Sequence, residues 1–277
     1  MKVAVVQMVS SADVPANLVQ ARALLCQAAA EGAELAVLPE YFCLMGGHDA
    51  DKLAIQETPG DGPLQQFLAE SANELGLWLV GGTLPLSSGQ TEPGQQSNRV
   101  FNSSLVFSPQ GTNVARYDKI HLFRFDNGHE RYDESAVQTA GSQPVCFDLP
   151  STDGHTWRIG LSVCYDLRFA ELYRHYAQAG ADLLLVPSAF THTTGLDHWE
   201  VLLRARAIEN LAFVAAAAQG GQHDKQRRTW GHSMLIDPWG KVLAQRSEQP
   251  GVVLAELDRA LLNDCRQRLP ALQHRVL

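Results

Sequence analysis

The stretch Glu31-Gly-Ala-Glu-Leu-Ala-Val-Leu-Pro-Glu40 runs from a helix-stopping glycine through a short, wholly apolar strand to a proline and a carboxylate. It returns 148 residues further on (31 to 179) as Ala179-Gly-Ala-Asp-Leu-Leu-Leu-Val-Pro-Ser188. A strand apolar on both faces needs cover on both faces, which layered helices supply. A second echo is longer: Arg99-Val-Phe-Asn-Ser-Ser-Leu-Val-Phe-Ser-Pro-Gln-Gly111 matches Arg228-Thr-Trp-Gly-His-Ser-Met-Leu-Ile-Asp-Pro-Trp-Gly240, 129 residues later (99 to 228). Each copy reads as a strand, a Pro-x-Gly turn and a returning strand (Asn113 to Tyr117; Lys241 to Gln245), which is hairpin grammar. Two echoes in the same order imply two related halves, each giving helix, buried strand and hairpin to one sheet-on-sheet core. The expected class is α/β, a four-layer α-β-β-α sandwich, with a single domain over residues 1–258 and a C-terminal tail over 259–277.

The flanking sequence fits that plan. Met1 to Gln7 opens as a buried strand, and Ser11 or Asp13 can cap a helix whose apolar positions Val14, Leu18, Ala21, Leu25 and Ala28 recur near helical spacing. Leu64 to Leu75 marks a second helix, Leu77 to Val80 a further strand, and Gln90 to Ser97 a polar surface loop. With 277 residues, 45% of them hydrophobic and 19% charged, the chain has globular composition, which excludes collagen, coiled coil and disorder. A net charge of −8 without a long Lys/Arg run argues against nucleic acid. The longest apolar run, Leu211 to Ala218, falls far short of the ~20 residues of a membrane span. Five cysteines (Cys26, Cys43, Cys146, Cys164, Cys265) at irregular spacing make neither a disulfide framework nor a zinc pattern, and the expectation is a cytoplasmic enzyme without metal or cofactor.

Three segments carry chemistry. In Arg158-Ile-Gly-Leu-Ser-Val-Cys164-Tyr165-Asp166 a buried strand runs into a cysteine and then a helix from about Ala170 to Gln178. Such an elbow exposes a nucleophile, leaves the Tyr165 N–H for an oxyanion and lowers a thiol's pKa at the helix N-terminus. Read alone, a buried structural cysteine fits as well. Ser162 lacks the closing glycine of a G-x-S-x-G turn. In Val37-Leu-Pro-Glu40-Tyr-Phe42 the carboxylate sits at a strand's carboxyl edge, where desolvation would raise its pKa and make it a general base. In Tyr117-Asp-Lys119-Ile-His-Leu-Phe123 a lysine follows the returning strand of the first hairpin.

Together, Glu40 in strand-Pro-Glu, Lys119 in Lys-x-His-Leu-Phe and Cys164 in Val-Cys-Tyr-Asp-x-Arg-Phe resemble the nitrilase, or carbon-nitrogen hydrolase, superfamily over nearly the whole chain. The resemblance implies the same α-β-β-α fold and a Glu-Lys-Cys triad. Cys164 attacks an amide carbon, Glu40 takes and returns the proton, and Lys119 with the Tyr165 N–H holds the oxyanion. A lysine beside the thiol also favours the thiolate. A supporting second glutamate is implied too, and Glu134 in Tyr132-Asp-Glu-Ser135 fits it. No histidine is required, although His121, His129 and His192 are candidates to line the pocket.

The region Thr194 to Asn210, with Gly231-His-Ser233 after Ala215 to Gln219, resembles the Nit branch, amidases of deaminated glutathione and related ω-amides of 2-oxo acids. The implied reaction cleaves deaminated glutathione to 2-oxoglutarate and Cys-Gly; an ω-amidase, a nitrilase, an N-carbamoyl amine hydrolase and a catalytically idle scaffold are the alternatives. A dicarboxylate substrate needs local cations in an acidic chain. Arg168, Arg131 and Arg124 are candidates, the Lys225 to Arg228 loop a weaker one, and Phe190 and Thr191 are pocket-lining candidates by position. Resemblance also implies a homodimer or larger assembly through the Trp199 to Ile208 and Ala170 to Ala179 helices. The segment Phe123-Arg-Phe-Asp126 reads as an altered loop at the pocket mouth.

Overall fold

A computed structural model describes residues 1–89, 98–128, 131–223 and 227–276. The expected loop at Gln90 to Ser97, His129 and Lys225 lie outside them. The first half runs β1 (Lys2–Gln7), α1 (Val14–Ala30), β2 (Leu35–Val37), α2 (Asp51–Ala54), α3 (Pro63–Leu75), β3 (Trp78–Val80), β4 (Leu84–Ser87), β5 (Val100–Phe107) and β6 (Asn113–Asp118). A ribbon of β7 (Arg124–Asp126) and β8 (Arg131–Asp133) follows. The second half runs β9 (Cys146–Pro150), β10 (Thr156–Leu161), α4 (Ala170–Gln178), β11 (Leu183–Leu185), α5 (His192–Asn210) and β12 (Phe213–Ala216). It continues through β13 (Gly220–Gln222), β14 (Arg228–Trp230), β15 (Met234–Ile236) and β16 (Val242–Gln245) to β17 (Gly251–Glu256) and α6 (Arg259–Arg268).

The two sheets share a six-strand plan, to which β4 adds a seventh strand in the first. One is ordered β17-β1-β2-β3-β5-β4 with β6 also beside β5, the other β9-β10-β11-β12-β15-β16. In both, three parallel strands are flanked by antiparallel ones. The Glu31 and Ala179 echoes are β2 and β11, the central parallel strands, and the Arg99 and Arg228 echoes end on the β5-β6 and β15-β16 hairpins. Both hairpin turns close alike, with Gly111 and Gly240 at positive φ donating to Ser108 and Asp237. The second echo departs in one respect. Where β5 is continuous, its counterpart breaks at Gly231 and His232, both at positive φ, so Arg228–Trp230 peels off to pair with β13.

The pleat of β1 divides the core. Val3 and Val5 join Val37, Val80, Trp157, Ile159 and Leu161 between the sheets, while Ala4 and Val6 meet Leu25 of α1 and Leu68 of α3. Tyr173 of α4 and Trp199 of α5 cover the outer face of the other sheet, which completes the four layers. Asp13 caps α1 by accepting from the Ala16 N–H, as its position suggested. The segment expected as a tail carries α6, whose Leu262 and Cys265 are buried and whose Arg259 and Arg266 both pair with buried Asp182. Among the described residues no helix is long and apolar enough to cross a membrane.

One glycine ties this frame to the chemistry. Gly82 sits at φ +53°, and a Cβ there would lie 2.0 Å from the Pro39 carbonyl oxygen, next to Glu40. Left-handed strain and a backbone clash each typically cost about 1–3 kcal/mol. Gly82→Ala should therefore lose about 2–4 kcal/mol by denaturant titration. An unchanged unfolding midpoint would show that the strand end has room.

Candidate active site

Parallel strands release their functional groups at their carboxyl ends, and here both sheets do so at the same end of the sandwich. Glu40 follows β2, Lys119 follows β6, and Cys164 follows β10. Cys164 is the first residue of a 3-10 turn (Cys164–Arg168) and is held at φ +48°, a strained value for a non-glycine residue. The turn binds the Cys164 N–H to the Pro187 carbonyl and the Asp166 N–H to the Val163 carbonyl, and its geometry leaves the Tyr165 N–H without a helical acceptor. Tyr41, directly after Glu40, is strained in the same way at φ +51°.

A dry ionic network links these elements. Lys119, 1% exposed, places Nζ 3.0 Å from Glu40 Oε1 and 2.9 Å from Glu134 Oε1. Glu134 also accepts the Phe123 N–H at 2.7 Å, which ties the lysine's partner to the chain beyond it. Glu40 accepts from Asn102 Nδ2 at 2.9 Å and, through Oε2, from the Ala189 N–H at 2.8 Å. Asp166 is wholly buried and fixes the elbow to the lysine strand. It accepts from the Val163 N–H (2.8 Å), the Tyr117 hydroxyl (2.7 Å) and the His121 N–H (3.0 Å).

Electrostatics reverse two simple expectations. Burial pushes the Glu40 carboxyl up, but the Lys119 ammonium and hydrogen bonds from Cys164 and Lys119 outweigh it, so Glu40 is held below the usual carboxylate range. Burial pushes the Cys164 thiol well above its ordinary value, and the Glu40 charge adds to this more than Lys119 relieves it. The resting sulfur is therefore a neutral thiol beside the Glu40 carboxylate, not the thiolate that an adjacent ammonium alone would favour. The ammonium is already shared by two carboxylates. Burial lowers the Lys119 pKa, yet Glu134 and Glu40 reverse that and hold it well above the usual lysine value, so it stays charged.

Cys164 separates two lobes of one cleft. The polar lobe, with about 520 Å³ of unoccupied space out to its open mouth, is lined by Glu40, Glu134, Tyr41, Asp49, Lys52 and Arg227 among others. The aromatic lobe is lined by Phe123, Tyr165, Arg168, Phe190, Thr191 and Thr194. Phe190 and Thr191 line the cleft, and Arg168 lies over the Tyr165 and Phe190 rings and bonds His198. Arg131 does not join them. It stands 75% exposed on β8 opposite Asp126, and Arg124 is 78% exposed on β7 opposite Asp133, because Arg124–Asp126 and Arg131–Asp133 pair as a two-stranded ribbon that turns both arginines outward while Phe123 and Tyr132 line the polar lobe. His121 packs on Phe169 and Asp166, and His192 on Trp230, and neither is among the residues lining the two lobes.

Residues 2–267 match the Carbon-nitrogen hydrolase family. The chain belongs to that family. It is 39% identical over 275 residues to a deaminated glutathione amidase of Synechocystis sp., covering 99% of this chain and 97% of that protein. It is 37% identical to Omega-amidase NIT2 of Danio rerio, over 99% of this chain and 94% of that one. The crystal structure of Saccharomyces cerevisiae Nit3, described as a member of branch 10 of the nitrilase superfamily, aligns with a TM-score of 0.85 at 30% identity, covering 98% of this chain and 94% of that one. This carbon-nitrogen hydrolase should show a Cys164 thiolate absorbance, measured as the ultraviolet difference from Cys164→Ala, with its midpoint above 9.0. A midpoint in the neutral range would mean that the lysine dominates the thiol.

Proposed function

We propose that this chain is a cysteine amidase that cleaves deaminated glutathione, the 2-oxoglutaryl amide of Cys-Gly, to 2-oxoglutarate and Cys-Gly. The observation that carries this reading is the convergence of Glu40, Lys119 and Glu134 in a buried ionic network beside a thiol on a strained elbow. The substrate rests on similarity to a relative of that name along nearly the full length of both chains.

Glu40 is ionised and accepts the Cys164 S–H, so it takes that proton as the sulfur attacks the amide carbon. The oxyanion that forms lies between Lys119 Nζ and the Tyr165 N–H; such a donor is typically worth about 10²–10³ in rate. Glu40 then protonates the amide nitrogen, the C–N bond breaks and the amine leaves. Water, deprotonated by Glu40, attacks the thioester, and the proton returns to sulfur as the acid departs. Glu134 keeps Lys119 charged and in place while Glu40 is transiently neutral. Arg168 is the candidate partner for the carboxylate of the 2-oxo acyl chain in the aromatic lobe.

A second reading, an ω-amidase acting on 2-oxoglutaramate, is favoured by the similarity to Omega-amidase NIT2. The mechanism is the same with ammonia as leaving group. A homodimer belongs to the proposal as well, supported by Leu196, Val201 and Ile208, which are apolar and exposed on α5. So does a reducing, cytoplasmic setting, which suits a catalytic thiol.

Cys164→Ala should abolish cleavage of deaminated glutathione, and quenched wild-type enzyme should carry the mass of a 2-oxoglutaryl adduct on Cys164. Turnover surviving in the variant would remove the nucleophile assignment.

A further inference from the structure

The polar lobe holds a cationic pair that the proposed reaction leaves unused. Lys52 is 4% exposed, with Nζ 3.0 Å from Asp49 Oδ1 and 4.1 Å above the Tyr41 ring. Arg227 reaches the same Asp49 oxygen through Nη2 at 3.1 Å and the Gly46 carbonyl at 3.3 Å, with its guanidinium 5.9 Å from the Tyr132 ring. The pair spans the halves, since Lys52 lies on α2, after β2, and Arg227 directly precedes β14. Asp49 is ionised, its carboxyl lowered to about 2 because the two cations outweigh its burial.

Lys52 and Arg227 thus bring two positive charges to one wall of the cleft, with Asp49 between them. A buried lysine presents three N–H donors, and Asp49 engages one of them. Tyr41, only 3% exposed in the same wall, has a hydroxyl with no hydrogen-bond partner. A buried hydroxyl without a partner, beside a lysine that has donors to spare, suits a hydrogen-bond acceptor such as a carboxylate.

The direction of the chemistry says which anion. Glu40 must reach the leaving nitrogen to protonate it, and Glu40 lines the polar lobe but not the aromatic one. The leaving group therefore departs through the polar lobe, and the acyl chain occupies the other. Accordingly, we infer that Lys52 and Arg227, positioned by Asp49, form a subsite for the carboxylate of a peptidic leaving group. The inference rests on the proposed function and sharpens it: the subsite selects amides whose amine partner ends in a carboxylate over simple ω-amides that release ammonia.

The test compares kcat/KM on deaminated glutathione and on 2-oxoglutaramate for the wild type, Arg227→Met and Lys52→Met. A charge-assisted hydrogen bond is worth about tenfold or more, so the ratio of the two values should fall at least about tenfold in each variant. A ratio that stays put, both substrates losing alike, overturns the subsite. A measurement independent of variant folding uses wild-type enzyme with the Cys-Gly carboxylate of the substrate converted to its primary amide. Its kcat/KM should drop by about tenfold or more, and equal cleavage of acid and amide overturns the inference. If the wild type cleaves neither deaminated glutathione nor 2-oxoglutaramate, the proposed function itself falls and takes the subsite with it; if it cleaves both and the ratio does not respond, only the subsite falls.

Discussion

One buried ammonium held between two carboxylates at the floor of a cleft organises this protein. Lys119 is 1% exposed, and Glu40 and Glu134 approach it from different strands and loops. Burying such a triad gains little stability, because desolvation of each ion offsets most of the attraction, while removing one member strands the others at a cost of about 3–5 kcal/mol. An apolar core of equal volume would hold the fold together as well. The triad is therefore better explained by what it does to a neighbouring thiol and to a negative charge developing beside it.

The duplicated architecture explains how three distant residues meet. Each half aligns three parallel strands and turns a hairpin beside them, and the halves pack sheet to sheet with the same ends together. The first half supplies Glu40 from its central strand and Lys119 from its hairpin. The second supplies the nucleophile from β10 and, after β11, the Ala189 N–H that orients Glu40. Ser188 stands in the second half where Glu40's echo would fall, and it makes a backbone bridge to Ala218. The repeat has thus kept the frame in both copies and the carboxylate in one.

The parts of this plan written as pattern were legible in the chain. The echoes around Glu31 and Ala179 give the two central strands, and the elbow at Cys164 is marked by an apolar strand meeting polar residues and a helix. What escaped depends on backbone atoms and on contacts distant in sequence. The Ala189 N–H carries no side-chain signal. Lys52 and Asp49 lie in a stretch without periodicity and acquire meaning only when Arg227 is brought to them. Asn102 and Asp166 did leave a trace, a polar residue within an apolar strand and an acid two positions past the cysteine, but neither states its partner. The C-terminal helix is hard to read in the chain because Leu262 and Cys265 are too few apolar positions to announce a docked helix, while Asp182, which fixes it through Arg259 and Arg266, lies far upstream.

Charge bookkeeping gives the neutral thiol its reason. At rest the site holds Glu40, Glu134 and Lys119 ionised, one net negative charge, and a thiolate would add a second in a medium that solvates ions poorly. When sulfur attacks and its proton passes to Glu40, the carboxylate charge disappears as an oxyanion charge appears beside the same ammonium. The net charge is constant through the step, so the surroundings need little reorganisation, and Lys119 exchanges one anionic partner for another without leaving its place on Glu134. A site with a preformed thiolate would instead carry its extra charge in the ground state and spend the ammonium on the nucleophile rather than on the oxyanion. The high thiol pKa is therefore consistent with a nucleophile, provided that its base is already in contact and already ionised, as Glu40 is here.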